Sequence, residues 1–231
     1  MPSIISIKKH HVINKDLQRM VDVFFSNRDW EGLYLTGGTC LAEFYFGHRL
    51  SIDIDLFTHN QILFSSARQL LMQEDFFPFG KLQPRRSFPE LSQFLLVRPN
   101  QDPIKIDLVL DIPRRLENPV KFENIWLDNL MDITSNKVGC IIQRNEIKDY
   151  LDLFYLIPTL DLSARQLIEL GQKKDASVDP LILAHQIQFI KTVKSSPPYL
   201  LANVPWKQIQ GFFEHLHDQV LDELAHDTKP T

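Results

Sequence analysis

The stretch Tyr34-Leu35-Thr36-Gly37-Gly38-Thr39-Cys40-Leu41-Ala42-Glu43-Phe44-Tyr45-Phe46-Gly47-His48-Arg49-Leu50-Ser51-Ile52-Asp53-Ile54-Asp55-Leu56-Phe57 decides how the rest of the chain is read. Asp53 and Asp55 stand two apart in an apolar run. On a strand such residues point to one face, while Ile52, Ile54 and Leu56 turn to the other face and into a core. Two adjacent carboxylates repel, and burial sharpens the repulsion. The pair is kept most easily when a cation lies between them, and a hard divalent ion with oxygen ligands, Mg²⁺ above all, suits it. At the other end, Gly37-Gly38-Thr39 follows an apolar strand and precedes a helix starting at 41–46. Glycines let the backbone approach a ligand closely, and a helix start offers free N–H groups and a positive dipole end to a phosphate. Thr39 would either cap that helix or donate its hydroxyl to a phosphate oxygen.

A third carboxylate is expected if two metal ions are bound. Asp107 supplies it as a lone acid inside the strand-like run 104–110, where an acid is costly unless paired or metal-bound. The competing reading pairs Asp107 with Lys105 or an arginine. Asp111, at the strand end before Pro113, is the weaker substitute. Ser51 lies on the face of Asp53 and would touch metal-bound water or phosphate, or serve only as a turn residue. Arg49, just before it, would either reach a phosphate or, as a loop arginine usually does, reach only solvent.

The runs 32–36, 52–58, 93–97 and 104–110 read as strands, with a helix over 62–74 between the second and third. After residue 130 the periodicity turns helical. One helix carries Ile133, Val138, Ile141 and Ile142, capped by Asp132 or Thr134. A second carries Tyr150, Leu153, Phe154 and Ile157 and stops at Pro158. Three more are expected over 163–171, 180–193 and 206–225, with a loop at 195–198. The fold class is therefore α/β: a mixed sheet with flanking helices over 1–130, then a helical domain over 131–231.

The two blocks, Gly-Gly-Thr…Ser-x-Asp-x-Asp-Leu-Phe with its later strand Asp and the run 132–156, resemble the nucleotidyltransferase superfamily of the DNA polymerase beta type. Within it the chain is similar to the AbiEii family of abortive-infection toxins. The second block resembles that family's helical segment carrying a Lys, a basic-Asp pair and a further Asp, which fall here on Lys137, Lys148-Asp149 and Asp152. The resemblance covers about 30–157. It implies that Asp53, Asp55 and Asp107 hold two Mg²⁺ ions, with Mn²⁺ as the substitute. It also implies that Gly37, Gly38 and Thr39 seat the β- and γ-phosphates of an NTP and that Lys137 meets the triphosphate, with Lys148, Asp149 and Asp152 lining the nucleotide side of the cleft. Without the resemblance, Lys137 is a helix-surface lysine, Asp149 a helix cap, and Lys148 and Asp152 an i, i+4 pair. The implied reaction moves a nucleoside monophosphate to a hydroxyl acceptor, a tRNA end in a toxin–antitoxin or phage-defence setting, with a small antitoxin as partner. A small molecule or protein side chain as acceptor, and a non-catalytic nucleotide-binding module, are the rival readings.

The chain has 231 residues, 44% hydrophobic and 23% charged, with a formal net charge of −4. That composition excludes a disordered or low-complexity chain. The acidic balance argues against nucleic-acid binding over the whole surface but leaves room for a local basic strip, at Lys8-Lys9, Lys81 with Arg85-Arg86, Arg114-Arg115 or Lys173-Lys174. No apolar run reaches the roughly 20 residues that span a bilayer, so no membrane partner, no export and a cytoplasmic location are expected. Cys40 and Cys140 read as two buried thiols, and His215 and His217 share no helix face on which to bind a metal.

Overall fold

The computed structural model describes residues 6–73, 76–112 and 115–227. Contacts divide them into two compact units, one formed by 6–112 with 118–129, the other by 115–117 with 130–227. Glu74, the expected end of the third-strand helix, and Pro113 and Arg114 lie outside the described residues.

The first unit is built on a mixed seven-stranded sheet. Its strands are β1 (Tyr34–Thr36), β2 (Ile54–Thr58), β3 (Lys81–Ser87), β4 (Leu91–Arg98), β5 (Gln101–Leu110), β6 (Val120–Phe122) and β7 (Ile125–Leu127). They lie in the order β3-β4-β5-β2-β1-β7-β6. β2 pairs antiparallel with β1 and parallel with β5, and β4 pairs antiparallel with both β3 and β5. The inner strands alternate strictly: Ile54, Leu56, Phe94, Leu96, Ile104, Ile106 and Leu108 fill the core, and the residues between them face the other side. That alternation is what a sheet with one face in a core requires.

Helix α1 (Lys15–Ser26) starts where the Asn14 side chain accepts from Leu17 N–H, and buries Leu17, Met20, Val21 and Phe24. α3 (Gln61–Leu71) is capped by Asn60 and lies against β2 and β5. Phe24, Trp30, Phe76 and Phe77 stack into one aromatic cluster, with Trp30 and Phe76 centroids 5.2 Å apart. The phenylalanines of 76–79 thus serve the core, as their abundance suggests.

Three boundaries differ from expectation for local reasons. β2 starts at Ile54, so Ile52 lies outside it and is 65% exposed instead of buried. The glycines are not a prelude to a helix but its first turn, α2 (Gly37–Cys40), which widens into a π-helical segment, Leu41–Phe46. β3, β6 and β7 were not legible, because β3 is polar and mostly exposed and the other two have three residues each.

The second unit is helical: α4 (Leu130–Gln143), α5 (Ile147–Thr159), α6 (Ala164–Lys174), α7 (Pro180–Ile187) and α8 (Trp206–Asp227). α4 begins earlier than its candidate caps, so Asp132 and Thr134 sit inside it. Thr134 Oγ1 donates to Leu130 O, and buried Asp132 accepts from Leu116 and Glu117 N–H and pairs with Lys174 at 2.8 Å. That anchor ties 115–117 to this unit. α5 continues one residue past Pro158, whose missing N–H costs a single bond near the end, before Leu160 N–H closes on Leu156 O. Ser163 and Gln166 form a reciprocal capping box for α6. α7 tightens into a 3-10 turn over Gln188–Thr192, so the helix expected over 180–193 ends early. Cys40 is buried and Cys140 half-buried, both as free thiols. No helix among the described residues is long and apolar enough to cross a membrane.

Candidate active site

Two of the three acids stand side by side because of strand register. Asp55 is the Cα partner of Asp107 across the parallel β2–β5 pair, and directly paired residues share a face. Asp53 sits just before β2, not within it. It nevertheless reaches the same cation: Lys105 Nζ lies 2.8 Å from Asp107 Oδ2 and 3.9 Å from Asp53 Oδ2. Burial pulls the Lys105 ammonium down, but Asp55, Asp107 and Asp53 together outweigh it and hold its pKa above the ordinary value. Gln93, the β4 partner of Asp107, donates to its Oδ1 at 2.9 Å. The structure thus shows the pairing of Asp107 with Lys105, and the same lysine lies 3.9 Å from Asp53.

Gly37 and Gly38 fit this cluster as no other residue would. Gly37 has φ +68, and a Cβ on it would collide with the Asp55 carboxylate. A Cβ on Gly38 would collide with the Arg49 guanidinium. Arg49 is buried behind the turn, with Nη1 donating to Leu50 O at 3.0 Å, which corrects the reading of a solvent-facing loop arginine. Thr39 does not cap the helix. It lies within α2, buried, and its hydroxyl donates to Asp53 O and meets Ser51 Oγ at 2.8 Å. Thr39 and Ser51 thus tie the glycine turn to the backbone that carries the first acid. Behind them, Thr36 Oγ1 donates to Asp128 at 2.6 Å, and burial, reinforced by Asp128, pushes the Cys40 thiol well up, so it stays protonated.

Lys137, Asp149 and Asp152 come together within the helical unit. Lys137 Nζ lies 2.7 Å from Asp149 and 2.5 Å from Asp152, and all three side chains are almost wholly buried. Arg144 Nε also meets Asp149, at 3.0 Å. Lys137 is therefore no surface lysine, and Asp149 caps nothing: the residue at the α5 N-cap is Glu146. Burial pushes the Asp149 carboxyl up, but Lys137 and Arg144 overcome this and bring it below its usual range. Lys148 Nζ meets Glu146 at 2.9 Å. His217 hydrogen-bonds Gln188 and Asp218, in keeping with its rejection as a ligand.

Lys105 and Gln93 are the site residues that the motif left out. The signal for Lys105 was present, since residue 105 is two before Asp107 and shares its face. Gln93 needed the register of β4. Among the described residues no group of three His, Cys, Asp or Glu side chains is arranged to hold a metal ion; the carboxylate oxygens are of the type a hard divalent ion takes, but Lys105 stands among them. Lys105 would compete with such an ion. Lys105→Met is expected to tighten Mn²⁺ binding by about tenfold to a hundredfold, from the loss of about 1–3 kcal/mol of screened charge repulsion. Titration followed by electron paramagnetic resonance measures this, and an unchanged affinity would remove Lys105 from the metal's surroundings.

The profile of a family described as nucleotidyl transferase AbiEii toxin, type IV toxin–antitoxin system, matches residues 18–226. An uncharacterised protein of Aquifex aeolicus is 26% identical over 203 residues, covering 82% of this chain and 88% of its own length. Among solved structures, JHP933 of Helicobacter pylori superposes with a TM-score of 0.58 at 15% identity, over 94% of this chain and 96% of that one. The nucleotidyltransferase toxin MenT4 of Mycobacterium tuberculosis gives 0.53 at 10% identity, over 90% and 82%. These likenesses extend the fold over both units.

Proposed function

Because this chain belongs to the AbiEii family of nucleotidyltransferase toxins, and is itself a nucleotidyltransferase, we propose that it transfers a nucleoside monophosphate from an NTP to a hydroxyl of an RNA end, such as that of a tRNA, with Mg²⁺ bound by Asp53, Asp55 and Asp107. The observation that carries the reading is the register of Asp55 with Asp107 beside a glycine turn that admits no side chain. Mn²⁺ would substitute for Mg²⁺. Metal ions of this kind, when bound, neutralise the triphosphate and stabilise charge at the phosphorus under attack.

The chain's own groups do the rest. The Gly37–Gly38 backbone approaches the β- and γ-phosphates, and Thr39 with Ser51 fixes the turn against the acid-bearing backbone. Lys105 and Gln93 hold Asp107 in one orientation, so the row is set before substrate arrives. The acceptor oxygen forms its bond to the α-phosphorus as the bond to pyrophosphate breaks, and the hydroxyl proton passes to a carboxylate of the row. Lys137, with Asp149, Asp152 and Lys148, is assigned to the nucleotide by family resemblance. Its pairing with two carboxylates favours a role in fixing α4 to α5 as well. An antitoxin protein is the expected partner, and the cytoplasm the expected setting.

The test is incubation with Mg²⁺ and each α-labelled NTP in turn, with and without total RNA. Label on RNA that disappears with chelator is the expected result and names the nucleotide. Label on the protein alone would move the acceptor to a side chain, and the absence of both label and NTP binding would overturn the proposal.

A further inference from the structure

The site row does not end at Asp107. The register continues through Gln93 on β4 to Arg86 on the edge strand β3, so Arg86, Gln93, Asp107 and Asp55 form one line across four strands, on one face. Arg86 reaches that line because of a bulge. Lys81, Gln83 and Pro84 pair regularly with Val97, Leu95 and Phe94, but the register shifts between Pro84 and Arg86, leaving Arg85 as the extra residue. Without the shift, Arg85 would oppose Gln93, and Arg86 would oppose Ser92 and point to the core side, because a one-residue slip reverses every side chain. With it, two arginines stand against the single Gln93, and Lys81 and Gln83 lie on the same face further along. Lys81, Gln83, Arg85 and Arg86 are all exposed.

We infer that this bulged edge of β3 holds the phosphate backbone of a polynucleotide acceptor. The inference rests on the transferase reading above and gives its acceptor a seat. At about 4.8 Å per strand, Arg86 lies about 10 Å from Asp107 and about 14 Å from Asp55. The separation suits an acceptor that extends along the row. It matches about three steps of a nucleic-acid strand at 3.4 Å each, within the reach of an arginine side chain. The triphosphate cannot claim the same cations, because β1 and its glycine turn lie on the opposite side of β2 from β5, β4 and β3. Nucleotide and acceptor would approach the acid row from its two flanks. The acidic net charge then leaves RNA binding to a local strip, without sequence readout.

The experiment compares the full chain with Arg85→Gln/Arg86→Gln and with Lys15→Gln/Arg28→Gln, which removes the same charge from exposed positions on α1 and the turn after it. The probe is a single-stranded RNA of roughly twelve nucleotides, labelled at its 5′ end and followed by anisotropy over a range of salt. The β3 double variant is expected to bind RNA at least about tenfold more weakly, with a salt slope smaller by about 1.4, or 0.7 for each lost phosphate contact. The Lys15/Arg28 variant is expected to stay within about twofold of the wild type. Equal weakening in both variants, an unchanged slope in the β3 variant, or a wild type that binds no RNA would each overturn the inference. Calorimetry with Mg²⁺ and NTP alone separates the two readings: nucleotide binding that persists while RNA binding is absent leaves the transferase standing and removes only the β3 seat.

Discussion

Asp55→Ala is expected to lose nucleotidyl transfer by about a thousandfold or more, equivalent to about 4 kcal/mol of transition-state stabilisation. Asp55 is the centre of the acid row. It is paired in register with Thr36 on one side and Asp107 on the other, and its carboxylate fills the space that Gly37 leaves open. Removing it takes away the oxygen ligand nearest the glycine turn, so binding of NTP in the presence of Mg²⁺ should fall with activity. Stability should not fall, because the substitution removes one of three mutually repelling acids while Lys105 still neutralises the other two. Label transfer, calorimetry and a thermal melt on the same preparation read all three effects. A variant that transfers label at the wild-type rate would show that the row is not catalytic.

Lys137→Met is expected to act on folding first. The substitution is nearly isosteric but leaves Asp152, and partly Asp149, buried without the cation that matches them. Breaking a buried ion pair in this way costs about 3–5 kcal/mol. For a chain of this size that is a fall in melting temperature on the order of 10 °C. Arg144 remains on Asp149 from its half-exposed position and limits the damage there.

The pH dependence carries a sign. The Asp149 carboxyl titrates below its usual value in the folded chain. Its contribution is therefore complete above the unfolded carboxylate pKa of about 3.9 and is lost as the pH falls through the lower, folded value. The stability gap between wild type and Lys137→Met should therefore hold from pH 7 down to about 4 and narrow only below it, as melts at pH 7, pH 4 and pH 3 would register. An equal melting temperature for the two proteins at pH 7 would show that the cluster is not needed for folding.

The parts of the site that can be read from sequence are those whose partners are near in the chain. Asp53, Asp55 and the glycine turn sit within one short stretch, and their meeting follows from a strand, a turn and a second strand. Asp107 was visible as an acid in an apolar run. Its neighbour across the ladder was not, because the order in which strands pair leaves no local mark. The same limit hid Gln93, and it hid the bulge that places Arg86. For Lys137 the plain alternative, a helix-surface lysine, fails because the folded helices bring Asp149 and Asp152 to it. Thr39 does not cap the helix as one reading expected, since the helix begins two residues before it. The fold class itself was legible, because alternation and helical periodicity change over near residue 130.

The parallel pairing of β2 with β5 has a consequence for when this protein can act. Residues 34–57 hold the glycine turn and two acids, yet the acid row is incomplete until Asp107 is laid beside Asp55. The intervening chain must first fold β3 and β4 back as hairpins and return β5 to the middle of the sheet. Long-range parallel pairing of this kind forms late, after the local elements. A nascent chain emerging from the ribosome therefore carries the whole recognisable motif in inert form. The row of Asp55 with Asp107 can form only once the chain has been made past residue 107.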